Sequence, residues 1–136
     1  MELEMVRRYL EIQQVRFSDR LRTETRIDPA TLDALVPNFV LQPLVENAVL
    51  HGISSESSGD ACTITISSVR QNGTLQLEVR DNGPGLNREH GDTDGIGISN
   101  TRERLDQLYG DKHSFEVRNA EGGGVSALIR LPWHTG

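Results

Sequence analysis

Hydrophobic residues recur with helical spacing through residues 2–22, where they form two stripes. The first stripe contains Leu3, Val6, Leu10, Phe17 and Leu21, and the second contains Met5, Tyr9 and Ile12. We expect the first stripe to pack on its own domain. The second stripe either widens that core-facing side or meets a partner.

Two further segments have helical patterns. Residues 38–51 are mostly apolar and stop at Gly52, and residues 99–109 stop at Gly110, a residue type common just past a helix end. In the latter helix we expect Ile98, Leu105 and Leu108 to face inward.

Alternating apolar and polar residues predict strands at residues 23–27, 63–70, 74–80, 114–119 and 125–131. The turn Gln71-Asn-Gly73 joins two of these strands as a hairpin. The helices and strands together predict an α/β (α+β) two-layer sandwich, in which a mixed, mostly antiparallel sheet carries its helices on one face.

Composition limits the function classes. A chain of 136 residues suits one domain, and its formal charge of −6 argues against a nucleic-acid surface. No apolar run approaches the roughly 20 residues that span a bilayer. Cys62 is the single cysteine, so no internal disulfide can form, and its strand-like position favours a small buried residue.

Asp81 follows a predicted strand and opens the segment Asp81-Asn-Gly-Pro-Gly85. A carboxylate held there can accept a hydrogen bond from the exocyclic amine of adenine, whereas guanine presents an acceptor at that position. Gly83 and Gly85 would let the backbone approach a base and ribose. The alternative is an ordinary Asp-Asn-Gly turn.

Asn47 lies in an apolar helix, where an amide needs a partner. Its oxygen is a suitable ligand for Mg²⁺, which binds one or two protein oxygens together with phosphates and waters. Glu46 points about 100° away and can have a distinct role. His51, one turn after Asn47, could either reach phosphate or cap the helix.

Gly95 and Gly97 lead into the third predicted helix, whose free N–H groups could hold phosphate. Ile98 and Asn100 adjoin them and complete the candidate nucleotide-binding set. Arg102 and Arg104 could add contacts to phosphate, although a solvated helix face explains both arginines as well. The apolar-free stretch at residues 87–94 predicts a loop.

The chain resembles LytS-type (YehU-like) sensor histidine kinases, within the GHKL, or Bergerat, ATP-binding fold. The motifs that carry this resemblance are Tyr9-Leu-Glu-Ile-Gln13, Arg16-Phe17, Pro37, Gln42-Pro-Leu-Val-Glu-Asn-Ala-Val-Leu-His-Gly52, Asp81-Asn-Gly-Pro-Gly85 and residues 95–105. It implies that Asn47 holds Mg²⁺, that Asp81 binds adenine, and that Gly83, Gly85, Gly95 and Gly97 frame ATP. Glu46 would support Asn47 beside the metal.

The resemblance also implies an organisation and partners. Residues 1–22 would lead from an upstream histidine-containing dimerisation segment, and residues 23–136 would form the catalytic domain with a lid at residues 86–94. The domain would be cytoplasmic, without direct membrane contact of its own, in a parent protein anchored in the bacterial membrane. It would bind Mg-ATP and donate the γ-phosphoryl group to a histidine outside this chain, for onward transfer to a response regulator.

Three features depart from related patterns. None of the four histidines lies in the family's phosphoacceptor context. Val125 stands after Gly124 where the family has Thr or Ser, and Ser126 comes one residue later. Pro43 replaces the glutamate that activates water in the hydrolytic ATPases of this fold, which disfavours hydrolysis. The alternatives are a degenerate nucleotide-binding interaction module and an anti-sigma-type serine kinase.

Overall fold

The computed structural model describes residues 3–17, 21–31, 41–53, 62–82, 96–119 and 124–133. Within these ranges the helices and strands, in chain order, are α1 (Leu3–Phe17), β1 (Leu21–Ile27), α2 (Leu41–Ile53), β2 (Cys62–Gln71), β3 (Thr74–Asp81), α3 (Ile96–Tyr109), β4 (Ser114–Asn119) and β5 (Val125–Pro132). Single 3₁₀ turns follow β1 and α3, at Pro29–Thr31 and Gly110–Lys112.

The strands form one mixed sheet in the order β1-β2-β3-β5-β4. Strand β1 pairs with β2 in parallel, and the other neighbours are antiparallel. The predicted β2–β3 hairpin is confirmed. Its turn residues Asn72 and Gly73 both have positive φ, at 49° and 77°, as a two-residue hairpin turn with matching twist requires.

One face of the sheet is apolar and lies under the helices. Leu75, Leu77 and Val79 of β3 are buried on this face, in one cluster with Leu44 and Val45 of α2. Helix α2 packs against β2 and β3, and also against α1 and α3. The alternate positions of β3 are polar and half-buried. This arrangement confirms the predicted two-layer sandwich with helices on one face.

The first helix is shorter than its hydrophobic pattern predicts. Helix α1 ends at Phe17, and Leu21, placed in the helix by its spacing, is instead the fully buried first residue of β1. Val6 and Leu10 of the first stripe are buried as predicted. In the second stripe Tyr9 packs against the core, whereas Ile12 is 65% exposed.

The third helix begins earlier than predicted, at Ile96. Leu105 is fully buried, but Leu108 is 56% exposed, so its predicted inward orientation is wrong. From Ser99 onward, where the side chains are described, the core-facing positions are Thr101, Leu105 and Tyr109, which follow four-residue spacing. Leu108 lies at the edge of this row, on the side of Thr101, and its side chain is exposed in the last turn of the helix.

Candidate functional site

Asp81 is a buried carboxylate at the end of β3. It is the last residue of the strand, only 2% exposed, and by strand alternation it continues the core-facing row of Leu77 and Val79. The N–H of Val125 donates a hydrogen bond to Asp81 Oδ1 at 3.4 Å. A buried charge needs such donors, because desolvation without them is costly.

The backbone at the start of β5 lies directly against the backbone of Asp81. Gly124 has φ of 87°, and a Cβ added there would lie 1.9 Å from the Asp81 carbonyl oxygen and 2.8 Å from Asn82 Cα. Only glycine fits so close to Asp81 without displacing one of the two backbone segments, the start of β5 or the end of β3. Gly124 was not predicted as a site residue, although the run Gly122-Gly-Gly124 is the sequence signal that could have identified it.

Asn82 and Cys62 lie near Asp81. The side-chain Oδ1 of Asn82 accepts a 2.7 Å hydrogen bond from the N–H of Thr63, which ties the end of β3 to the start of β2. Cys62 is buried as predicted. Burial, and secondly the negative charge of Asp81, raise the pKa of the Cys62 thiol to about 11.

Helix α2 carries Asn47 and Glu46 with different exposure. Asn47 is half-buried, whereas Glu46 is exposed. Gln42 Nε2 donates to Glu46 Oε1 at 3.3 Å, one turn along the helix. Burial raises the pKa of the Tyr9 hydroxyl, and the negative charge of Glu46 raises it further. The backbone of His51 is in the last turns of α2.

Helix α3 places Gly97 and Ile98 in its first turn, where helix geometry leaves backbone N–H groups without intrahelical partners. Asn100 is exposed one turn further on. Arg102 does not extend toward this end of the helix. Its Nη1 donates to the Phe115 carbonyl at 3.1 Å, and its guanidinium lies 4.6 Å from the Phe115 ring centroid, so it joins α3 to β4.

Part of the predicted site lies outside the described residues. This applies to Gly83, Gly85, Gly95 and the predicted lid at residues 86–94, and it applies to the side chains of His51 and Ile98. In the described ranges no three His, Cys, Asp or Glu side chains are grouped to hold a metal ion. A divalent ion there would need oxygens from its ligand and water in addition to a protein amide.

No helix in the described ranges is long and apolar enough to cross a bilayer.

Comparison with known proteins adds a family and close relatives. Residues 33–135 match a family described as histidine kinase-, DNA gyrase B-, and HSP90-like ATPase. The sensor histidine kinase YesM of Bacillus subtilis is 33% identical over 134 residues, covering 96% of this chain and 23% of YesM. The sensor protein LytS of Oceanobacillus iheyensis is 34% identical over 145 residues, covering 97% of this chain and 24% of LytS. The chain thus spans about a quarter of the length of these relatives.

A solved structure has the same fold. The catalytic domain of histidine kinase ThkA superposes with a TM-score of 0.68 at 22% identity, over 95% of this chain and 90% of that domain. This likeness confirms the predicted Bergerat-type sandwich.

Proposed function

Because this chain belongs to the histidine kinase-, DNA gyrase B- and HSP90-like ATPase family, we propose that it is the ATP-binding catalytic domain of a two-component sensor histidine kinase. In this proposal it binds Mg-ATP and donates the γ-phosphoryl group to a histidine outside this chain. A response regulator then receives the phosphoryl group. The parent protein is a membrane-anchored sensor whose catalytic part is cytoplasmic.

The observation that carries the proposal is the buried Asp81 carboxylate beside Gly124. An Asp side chain is rarely this buried, so a carboxylate at 2% exposure at a strand end favours a role in binding. It would accept a hydrogen bond from the adenine amine. The absent Cβ of Gly124 keeps the backbones of β3 and β5 close enough for Val125 to orient this carboxylate.

Asn47 is the proposed metal ligand. Its half-buried amide on α2 supplies one hard oxygen, and the phosphates and water would complete the coordination that Mg²⁺ prefers. Bound Mg²⁺ would neutralise part of the triphosphate charge. Glu46 would assist beside Asn47, while His51 and the first turn of α3, with Gly97, Ile98 and Asn100, would contact phosphate.

Phosphoryl transfer to a protein group is favoured over hydrolysis. Pro43, one turn before Asn47 on α2, has no group that could take a proton from water. The remaining catalytic contribution is positioning of the phosphates and stabilisation of developing charge by N–H dipoles. Residues 86–94 would close over the nucleotide, within a catalytic domain at residues 23–136 that follows the N-terminal segment 1–22.

The test is calorimetry of the 136-residue chain with ATP, with and without Mg²⁺, beside Asp81→Asn. We expect binding that Mg²⁺ strengthens and that the variant loses. Incubation with γ-labelled ATP should leave no acid-labile label on the chain alone. Absence of ATP binding in a folded wild-type chain would contradict the proposed function, and acid-stable phosphoserine on a partner would favour a serine kinase.

A further inference from the structure

The contact between β5 and the end of β3 goes beyond ordinary sheet pairing. Arg80 and Ser126 are the last partners in the β3–β5 register, so Asp81 and Val125 face each other one position further on. At that position the N–H of Val125 points to a side-chain oxygen of Asp81. Gly124, which precedes Val125 in the sequence, lies so close to the Asp81 carbonyl that no Cβ fits.

Two of the described polar side chains near this contact have partners elsewhere. Ser126 Oγ donates to Glu78 Oε2 at 2.6 Å, and Asn82 Oδ1 accepts from Thr63. Val125 presents a buried apolar side chain on the face of Asp81. The Val125 N–H is therefore one donor that orients the Asp81 carboxylate, at a distance of 3.4 Å.

We propose that the main chain of Gly124 and Val125 is a positioning element for the Asp81 carboxylate, and that it determines how well the site discriminates the 6-amino group of adenine from a carbonyl. This rests on the proposed function, in which Asp81 binds the adenine amine. Gly124 and Val125 act through Asp81 and need not contact the nucleotide. A shift of either backbone turns the carboxylate away from the amine.

The experiment compares the affinities of the chain for ATP and inosine triphosphate, whose base carries a 6-carbonyl. Wild type should prefer ATP by at least about tenfold, because a mispaired polar group in a binding site is costly. In Gly124→Ala the ATP preference should fall by about tenfold as the backbone of β5 moves away from Asp81. A folded Gly124→Ala chain with an unchanged preference would overturn the proposal.

Gly73→Ala is the matched control. Gly73 has a similar φ of 77°, but a Cβ there meets no atom within 4 Å, and the residue lies at the opposite end of β3. Its substitution imposes comparable backbone strain without the contact to Asp81, so it should leave the preference for ATP unchanged. An equal loss of preference in Gly73→Ala would show that general strain, not positioning, causes the effect.

A second variant covers the case in which Gly124→Ala does not fold. Replacing the Gly124–Val125 amide by an ester, with the side chain kept, removes the N–H donor and weakens the Gly124 carbonyl as an acceptor, and the preference should fall about threefold or more. An unchanged preference would refute the positioning role. Asp81→Asn distinguishes the two failures: if it binds ATP and inosine triphosphate as wild type does, the role of Asp81 fails and the positioning role with it. If Asp81→Asn loses the preference while Gly124→Ala keeps it, only the positioning role fails.

Discussion

Ser126 and Glu78 form a 2.6 Å hydrogen bond on the face of the sheet opposite to Asp81. The two residues are diagonal neighbours, since Arg80 pairs with Ser126 and Glu78 pairs with Leu128. The family resemblance places a hydroxyl directly after Gly124, and Ser126 could have supplied it from one residue further. Strand alternation prevents Ser126 from supplying the hydroxyl of position 125, because Ser126 points to the other side of the sheet.

Val125→Thr should strengthen ATP binding. Position 125 lies opposite Asp81 on the same face, so threonine would add a hydroxyl beside the carboxylate while keeping a β-branched side chain. We expect about a fivefold gain in ATP affinity, equivalent to one modest hydrogen bond. Calorimetry measures it, with Ser126→Ala as the control that leaves affinity unchanged. Weaker binding in Ser126→Ala would contradict the orientation of this strand.

Asn47→Ala should remove the contribution of Mg²⁺ to ATP affinity. The variant lacks the side-chain oxygen, so its dissociation constant for ATP should be the same with Mg²⁺ as with chelator. Asn47→Asp keeps an oxygen ligand and should keep the dependence on Mg²⁺. Titrations with and without the metal test both variants. Full metal dependence in Asn47→Ala would assign the ion to other ligands.

Leu105→Ala and Leu108→Ala should differ sharply in stability although both leucines lie on α3. Leu105 is fully buried, and its truncation should lower the free energy of unfolding by about 3 kcal/mol. Leu108 is exposed, and its truncation should change stability by less than about 0.5 kcal/mol. Urea unfolding monitored by circular dichroism compares them. Equal losses would contradict the orientation of α3.

The local sequence pattern was sufficient to predict much of the fold and to identify the family. Alternation and the Asn72-Gly73 turn predicted the β2–β3 hairpin, because both signals arise within a few residues. The motif around Asn47 and the Asp81 turn pointed to LytS-type sensor histidine kinases, a resemblance that the comparisons confirm. Pattern also correctly predicted that Cys62 is buried.

Contacts between distant segments were not predictable in the same way. Leu21 fits the helical stripe of α1 equally well, and only the parallel pairing of Leu21 with Cys62 places it in β1. The approach of Gly124 to Asp81 joins residues 43 positions apart along the sequence. Propensity and periodicity carry no information about such a pair, because tertiary packing determines it.

The stability of the chain should depend on pH in the range where the buried thiol of Cys62 loses its proton. Its pKa is raised from 9.0 to about 11 in the folded chain, first by burial and then by the charge of Asp81. The folded state therefore holds the proton more tightly than the unfolded state. The resulting stabilisation is fully present below the unfolded value and is lost as pH rises from 9.0 toward about 11. Unfolding by urea should become easier across this interval.

Cys62→Ala isolates that effect. The tyrosines at positions 9 and 109, whose pKa values are also raised by burial, titrate in both proteins and cancel in the comparison. Between neutral pH and a pH of about 11, the wild-type chain should lose more stability than Cys62→Ala. In a separate measurement, the wild-type thiol should react slowly with an alkylating reagent at neutral pH. Parallel pH profiles would show that the thiol does not have a raised pKa in the folded state.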